Sequence, residues 1–207
     1  MSTDMKIGVV GAAGRMGQMF IRQVNETDGC VVSGAVEAPG HALIGQDVGV
    51  LASVGEIGVA LGDDAGTMIE IADAIIDFTA PAVTASNAMI CKEAGTALIA
   101  GTTGLNDDQN AAILKASKSV PIVSAPNMSV GITLLLGLTE QVAGLLGPEF
   151  DIEIVEMHHR HKVDSPSGTA IGLGEAAAAG RQVALRNVKQ AVRDGHTGAR
   201  KKGEIGF

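Results

Sequence analysis

Aromatic residues are scarce in this chain of 207 residues, which has no tryptophan, no tyrosine and only four phenylalanines. Proteins that bind single-stranded nucleic acid usually stack its bases on aromatic side chains. The formal net charge is −8, with 15 lysines and arginines against 23 acidic residues. Because a negative protein is repelled by a phosphate backbone, the composition argues against nucleic acid as a partner.

Cysteine and long apolar runs are also lacking. Cys30 and Cys91 are far apart and show no Cys-x-x-Cys spacing, which predicts buried free thiols rather than a disulfide or a metal pair. The most apolar run, 128–138, is interrupted by serine, glycine and threonine, so we expect no membrane-spanning segment. Asp4 and Arg15 do not suit a signal peptide, and these features together predict a cytoplasmic protein.

Lysine and arginine are missing from one third of the chain. Positions 23–91 contain no lysine or arginine but ten acidic residues, whereas positions 158–202 contain nine lysines and arginines, three acids and four of the five histidines. The C-terminal part therefore suits an anionic ligand, and a small acidic metabolite fits the overall acidity better than nucleic acid does.

Glycine, in contrast, is abundant, with 28 residues, and apolar strands alternate with helical patterns in the first two thirds of the chain. We predict strands at 6–10, 31–36, 74–78, 96–100 and 120–124, and helices at 15–27, 81–94 and 106–117. This alternation predicts an α/β fold, a Rossmann-type doubly wound parallel sheet. A helix at 130–146 and a strand at 152–157 break the rhythm, which places a domain boundary after Asn127. Segment 41–66 has no clear period.

A glycine-rich turn follows the first predicted strand, with glycines at Gly11, Gly14 and Gly17. Such a turn lets backbone N–H groups approach a pyrophosphate at a helix start. Glu37 follows Gly17 by 20 residues, where an acid accepts hydrogen bonds from the adenosine ribose. We therefore predict an NAD-type cofactor, the alternative being a turn that serves packing only. Ala38 offers no cation for a 2′-phosphate, so NADH suits the site better than NADPH.

The segment from His158 to Lys162, with the sequence HHRHK, contains the densest chemistry in the chain. Histidine and lysine can donate protons, and the following SPSGT resembles a helix start whose N–H groups can hold a carboxylate. Zinc is disfavoured because the spacing is unusual and neighbouring cations repel the ion; we predict no metal. A solvated basic loop is the other alternative.

Five motifs closely resemble the 4-hydroxy-tetrahydrodipicolinate reductase (dihydrodipicolinate reductase) family of lysine and diaminopimelate biosynthesis. They are GAAGRMG at 11–17, DFTAP at 77–81, GTTG at 101–104, HHRHKVDSPSGTA at 158–170 and GHTGAR at 195–200. The resemblance implies an NADH- and/or NADPH-dependent reduction in the cytoplasm by a homotetramer. It also implies a dinucleotide-binding domain at 1–127 and, at 128–207, a smaller α+β substrate-binding and oligomerisation domain with an open mixed sheet. Family members extend beyond Phe207, so this second domain is expected to be truncated at the C-terminus.

The resemblance also assigns roles to residues. His158 would act as proton donor or acceptor and Lys162 as proton donor, His159 would bind substrate, and Gly168 with Thr169 would hold a carboxylate of a small dicarboxylate. The implied cofactor-binding residues are Gly11, Ala12, Ala13, Gly14, Arg15 and Met16 at the pyrophosphate, Glu37 at the ribose, and Gly101, Thr102, Thr103, Ala125, Pro126, Asn127 and Met128 at the nicotinamide.

Two other functions remain open at this point. One is a non-catalytic fragment or sensor that binds NAD(H) and a dicarboxylate. The other is a different Rossmann reductase, for example one acting on an aspartate-derived aldehyde, which is disfavoured because neither Cys30 nor Cys91 lies in a nucleophile-like context.

Overall fold

The computed structural model describes residues 4–160, 162 and 164–207. The chain separates into two compact units, Met1–Ala125 and Pro126–Phe207. We call them the N-terminal unit and the C-terminal unit, and each is described by itself.

The N-terminal unit is a six-stranded parallel sheet with helices between successive strands. The strand order is β3-β2-β1-β4-β5-β6, the order of a doubly wound dinucleotide-binding fold. The strands are β1 (Met5–Val10), β2 (Cys30–Val36), β3 (Leu61–Gly62), β4 (Ala74–Asp77), β5 (Ala97–Ala100) and β6 (Ile122–Ser124). The helices are α1 (Arg15–Glu26), α2 (Val48–Leu51), α3 (Ala65–Ile71), α4 (Pro81–Ala94) and α5 (Asp107–Ala116). The predicted Rossmann-type sheet is confirmed.

Two apolar clusters cover the two faces of this sheet. Val9 of β1 belongs to the cluster that contains Ile21 of α1, and the next residue, Val10, belongs to the cluster that contains Ile113 of α5. Successive side chains of a strand point to opposite faces, so each strand supplies both layers. Such two-sided burial explains why the strands are apolar throughout rather than alternating with polar residues. Cys91 is a buried free thiol, as predicted, and Cys30 is a half-buried one.

Segment 41–66, which the sequence left without a predicted element, is organised around one side chain. The Asp47 carboxylate accepts hydrogen bonds from the backbone N–H groups of Gly49, Val50, Ile57 and Gly58. It therefore caps the short helix α2 and closes the loop that follows it. A carboxylate can replace regular secondary structure in this way because it accepts several bonds at once, and this leaves no periodic pattern to detect.

The C-terminal unit contains three helices and a small sheet. The helices are α6 (Val130–Leu146), α7 (Gly168–Gly180) and α8 (Leu185–Val188), and the strands are β7 (Ile152–Glu153), β8 (Lys189–Gln190) and β9 (Ile205–Gly206). The strand order is β7-β9-β8, and both pairings are parallel. A smaller α/β unit is thus present, but the described strands form a parallel sheet rather than the mixed sheet that we expected. The predicted strand at 152–157 is also shorter, since it ends at Glu153.

Helices α6 and α7 pack closely at two glycines. A Cβ atom on Gly144 would lie 3.0 Å from the carbonyl oxygen of Gly180, and one on Gly180 would lie 3.0 Å from the nitrogen of Gly144. Larger residues would push the backbones apart. Ala143, Ala177, Ala178, Leu185 and Ile205 form the small core of this unit.

Much of α6 is apolar and exposed. Segment Val130–Glu149, 20 residues with a mean hydropathy of 1.5, is long and apolar enough to cross a membrane by length and composition. Our sequence expectation that no run reaches this length was therefore wrong. Only 6% of the apolar window is buried, although α6 packs along α7 in its own unit. The exposed apolar residues of the helix are Val130, Leu134, Leu135, Leu138, Val142, Leu145 and Leu146.

Candidate active site

The glycine positions of the turn between β1 and α1 have no room for a side chain. Gly11 adopts a positive φ of 70°, which favours glycine. A Cβ atom on Gly17 would lie 2.6 Å from the Cα atom of Ala12 and would also collide with the carbonyl oxygen of Gly11. Within the described part of the chain, no side chain caps the start of α1 at Gly14. The N–H groups of this helix start, at Arg15 and Met16, are therefore placed to bind an anion.

Glu37 lies directly after β2 and is tied to the same turn. Its carboxylate accepts a hydrogen bond from the N–H of Ala13 at 3.2 Å and another from the N–H of Ala38 at 3.0 Å. The acid predicted to meet the ribose is thus held against the predicted pyrophosphate turn, which also includes Ala12. The remaining lone pairs of the carboxylate can accept ribose hydroxyl groups. These residues fit the adenosine half of a dinucleotide.

Two more loops leave the same edge of the sheet, after β4 and after β5. A Cβ atom on Gly101 would collide with the ring of Phe78. Thr102 is buried, whereas Thr103 is exposed. Ligands of open α/β sheets bind beyond the carboxyl ends of the strands, so Gly101, Thr102 and Thr103 lie where a nicotinamide would bind.

The predicted nicotinamide residues 125–128 are divided between the two units. Ala125 donates its N–H to the carbonyl of Ala100 in the N-terminal unit. Pro126, Asn127 and Met128 belong to the C-terminal unit. There, the side-chain amide of Asn127 donates to the Thr169 hydroxyl at 3.1 Å. Asn127, which is predicted to bind the cofactor, therefore contacts Thr169, which is predicted to bind the substrate.

In the C-terminal unit, the Glu156 carboxylate connects His158, the predicted acid–base residue, to the start of α7, where a substrate carboxylate is predicted to bind. Glu156 contacts His158 Nε2 at 2.9 Å through Oε2, and its Oε1 accepts the N–H of Ser167 at 2.8 Å. The Ser167 hydroxyl also donates to Glu156. These bonds, first from the Ser167 side chain and then from His158, lower the pKa of Glu156 from its usual 4.5 to about 2. Glu156 therefore remains ionised at neutral pH.

Ser167 is the N-cap of α7, and its hydroxyl accepts the N–H of Ala170 at 3.0 Å. The predicted helix start at SPSGT is confirmed in this respect. Gly168 and Thr169 form the first turn of α7, where backbone N–H groups point away from the helix and favour anions.

Lys162 forms an ion pair with Asp164 at 2.5 Å, and its side chain is about one fifth exposed. The hydrogen bond from Lys162 lowers the pKa of the Asp164 carboxyl. The backbone N–H of Lys162 donates to the carbonyl of His159 at 3.2 Å, which closes a turn. His161, one of the histidines weighed as zinc ligands, lies outside the described residues.

Several of the clustered cations of this unit have acidic partners. Glu153 accepts two hydrogen bonds from Arg193 and lies 3.3 Å from Arg200, and Glu149 pairs with Lys202. These cations contribute to the fold of the unit, so the sequence-based view of the whole stretch as a surface for anions was too broad. The candidate binding site for an anion is therefore limited to the segment around His158 and the start of α7.

Sequence reasoning gave no role to Glu156, Asp164 or Asp77. Glu156 and Asp164 flank the HHRHK motif and are the nearest acids in sequence, which is the signal that could have identified them. Asp77 was noted only as part of the DFTAP motif, although it is fully buried.

This chain is similar to known proteins along nearly its whole length. Residues 5–128 match the family model "Dihydrodipicolinate reductase, N-terminus", and residues 131–207 match "Dihydrodipicolinate reductase, C-terminus". A 4-hydroxy-tetrahydrodipicolinate reductase of Rhodopseudomonas palustris (strain HaA2) is 51% identical over 205 residues, which cover 99% of this chain and 76% of the relative. The enzyme of that name from Rhizobium meliloti is 45% identical, covering 99% of this chain and 85% of the relative.

Among solved structures, a dipicolinate-bound dihydrodipicolinate reductase from Paenisporosarcina sp. TG-14 has a TM-score of 0.68. It is 22% identical in sequence, and the match covers 96% of this chain and 71% of that one. At this identity the likeness supports the fold. Together with the two family matches and the relatives near 50% identity, it confirms the resemblance found in the sequence motifs: this chain belongs to the dihydrodipicolinate reductase family.

Proposed function

We propose that this protein catalyses the reduction of 4-hydroxy-tetrahydrodipicolinate to tetrahydrodipicolinate with NADH or NADPH, in lysine and diaminopimelate biosynthesis. The observation that carries the proposal is the Glu156 carboxylate, which joins His158 to Ser167 at the start of α7. A group that can transfer a proton, His158, is thereby held next to the helix start that would bind a substrate carboxylate. The reduction of a dicarboxylate requires both groups.

The N-terminal unit would bind the cofactor, which supplies the hydride when bound. The turn from Gly11 to Met16 holds the pyrophosphate and Glu37 holds the adenosine ribose. The loops at 101–103 and 125–128 line the nicotinamide. In support, the glycine positions leave space for backbone only, and the start of α1 is uncapped. Residues 1–127 would thus form the dinucleotide-binding domain, and residues 128–207 the substrate-binding domain.

The C-terminal unit would bind the substrate and provide its proton. The N–H groups of Gly168 and Thr169 would hold one carboxylate of the substrate, and His159 would contact the substrate from the basic segment. Asn127 supports this placement, since its amide already holds the Thr169 side chain at the start of α7. Fixing the carboxylate orients the ring before the chemical step.

Loss of water from the 4-hydroxy substrate gives the conjugated imine, dihydrodipicolinate, and reduction of that imine adds a hydride to carbon and a proton to the developing anion. Lys162 or His158 supplies that proton, and a protonated lysine also stabilises negative charge in the transition state. Asp164 forms an ion pair with Lys162, and Glu156 orients the His158 ring through a hydrogen bond. Both acids therefore act through the residue that they contact.

The direct test is NADH oxidation by this 207-residue chain in a coupled reaction. Pyruvate, aspartate semialdehyde and the preceding synthase generate the unstable substrate in place, and absorbance of NADH reports its loss. Substrate-dependent oxidation, inhibited by the planar analogue pyridine-2,6-dicarboxylate, is the expected result. Binding of NADH without turnover would favour a non-catalytic sensor, and oxidation insensitive to the analogue would favour a reductase for another acid.

We also propose that the chain acts in the cytoplasm as a homotetramer, without a membrane or nucleic-acid partner. The exposed apolar face of α6 supports assembly. Its apolar surface is larger than that of the single apolar residues usually found on the surface of a monomer. Light scattering on the purified chain would show the tetramer mass. A monomer that instead partitions onto lipid vesicles would contradict both parts.

A further inference from the structure

A fully buried carboxylate lies in the N-terminal unit next to the predicted nicotinamide loops. Asp77 is the last residue of β4, and three other buried polar side chains surround it: Thr84 and Asn87 of α4, and Thr102 after β5. Removing a carboxylate from water is costly unless several donors replace its hydration. The bonds that Asp77 makes therefore indicate what it holds in place.

Its two oxygens accept four hydrogen bonds. Oδ1 accepts from the N–H of Thr79 at 3.1 Å, from the Thr79 hydroxyl at 2.5 Å and from the Thr84 hydroxyl at 3.1 Å. Oδ2 accepts from the side-chain amide of Asn87 at 2.8 Å. One carboxylate thus fixes the loop that leaves β4 to the helix that follows it.

The same bonds determine the direction of a chain of hydroxyl groups. The hydroxyl oxygens of Thr84 and Thr102 lie 2.7 Å apart, and the N–H of Thr79 also points at Thr102 Oγ1, at 3.1 Å. A carboxylate only accepts, so the single proton of Thr84 goes to Asp77. Thr102 must then donate to Thr84. Its hydroxyl is held in one orientation and, because one lone pair accepts the N–H of Thr79, it has one lone pair left to accept a further hydrogen bond.

These loops also lie directly against the pyrophosphate turn. A Cβ atom on Gly11 would be 2.8 Å from the Thr79 methyl group. Strands β1 and β4 are adjacent and parallel, and Val10 pairs with Asp77. The strand order reverses between these two strands, and dinucleotides bind across such a point. A cofactor whose pyrophosphate lies at α1 therefore places its nicotinamide end over Thr79 and Thr102.

We propose that Asp77 is a positioning residue for the nicotinamide half of the cofactor, because its carboxylate fixes the Thr79 loop and the Thr102 hydroxyl in the geometry that the ring requires. This inference rests on the proposed function. It predicts that Asp77 affects one half of the dinucleotide and not the other, since the adenosine half is held by the glycine turn and Glu37.

The test compares the binding of NADH and ADP-ribose, which lacks the nicotinamide, by calorimetry. In Asp77→Asn, the new amide faces the amide of Asn87, so two donors oppose each other. We expect NADH affinity to fall by about tenfold or more, the size expected for a lost bond to a charged group. ADP-ribose affinity should change less than about twofold, because ADP-ribose lacks the nicotinamide ring that the Thr79 loop and Thr102 would position. The double variant Asp77→Asn/Asn87→Asp restores a donor–acceptor pair and should recover most of the NADH affinity.

Two further variants keep the test decisive. Thr84→Val removes one hydroxyl, keeps the shape and should weaken NADH alone, and it serves if Asp77→Asn does not fold. Thr96→Val is the matched control. Thr96, which directly precedes β5, is buried like Thr84, but its hydroxyl donates to the carbonyls of Ile69 and Ala72. It should lower the melting temperature without changing either affinity.

The outcomes are distinguishable. Equal weakening of NADH and ADP-ribose would mean that Asp77 supports the fold only, and unchanged NADH affinity in both variants would also overturn the inference. If the unsubstituted chain bound neither ligand, the proposed function itself would fail.

Discussion

The two units build their candidate sites from different materials. In the N-terminal unit, the groups that face a ligand are mostly backbone, shaped by Gly11 and Gly17, and the carboxylate that organises them, Asp77, is fully buried. In the C-terminal unit, His158, Lys162 and their partners Glu156 and Asp164 are partly exposed side chains arranged in ion pairs. Rigid backbone suits the binding of a fixed cofactor, and accessible titratable groups suit proton transfer.

The largest effect that separates the two units is expected from Lys162→Ala. Loss of the proposed proton donor should lower kcat by roughly 10²–10⁴-fold while NADH affinity remains nearly unchanged. Steady-state kinetics together with NADH titration would measure both. Lys201→Ala, an exposed lysine in the same unit, is the control and should have normal kcat. An equal loss of NADH affinity in Lys162→Ala would show that the division between the units is wrong.

The reverse pattern is expected from Gly17→Ala. Its methyl group would collide with Gly11 and Ala12, so the turn must move from the position that would bind the pyrophosphate, and NADH affinity should fall by roughly 10–100-fold. Turnover at saturating NADH should be much less affected. Gly137→Ala, where a methyl group meets open space in α6, is the matched control. Normal NADH binding by Gly17→Ala would refute the pyrophosphate site.

A smaller effect is expected from Glu156→Gln, which keeps the shape but removes the charge beside His158. We expect kcat to fall by about tenfold, as for a lost charge-assisted hydrogen bond, and the acidic limb of the pH–rate profile to move. Glu175→Gln, on an exposed residue of α7, should change neither.

The same variant tests the pH dependence of stability. The pKa of Glu156 is lowered in the folded chain from 4.5 to about 2, so the carboxylate stabilises the fold above about pH 4.5. That contribution is lost as the pH falls from 4.5 towards 2. Urea unfolding should therefore show the largest difference between the parent chain and Glu156→Gln near neutral pH, and convergence in acid. A constant difference would mean that the charge is not involved.

The smallest effect concerns cofactor choice. Ala38 follows Glu37 directly, and an arginine at this position can pair with a 2′-phosphate. Ala38→Arg should raise NADPH affinity by about three- to tenfold with little change for NADH, measured by titration of both cofactors. Ala38→Gln, of similar length but uncharged, separates charge from size.

The parallel sheet could be predicted well from the sequence because strands that are buried on both faces consist of consecutive apolar residues, such as Val9 and Val10. The end points of α4 were also predictable, since Pro81 begins the helix and Gly95, with a positive φ of 80°, follows its end. The glycine turn and the start of α7 could be located from motifs alone, although the roles of their residues stay predictions.

What the sequence did not reveal depends on contacts between distant residues. Asp47 organises its segment through bonds to backbone groups, and no periodicity reports this. Glu156 is linked to Ser167, 11 residues away, and Asp77 to Thr102 only through threonines of two other elements. Segments as short as β8 and β9, two residues each, are too short to give a pattern.

The strand order of the N-terminal unit also has a consequence for folding. Ile7 pairs with Val32 in β2, close in sequence, and with Ala74 in β4, which requires a loop more than twice as long to close. Contacts between near neighbours in sequence form at a lower entropic cost. We therefore expect β1, α1 and β2, with the glycine turn that joins β1 to α1 and with Glu37 directly after β2, to assemble before β4 docks. An early folding intermediate would then recognise the adenosine end of the dinucleotide before the nicotinamide end has a place to bind.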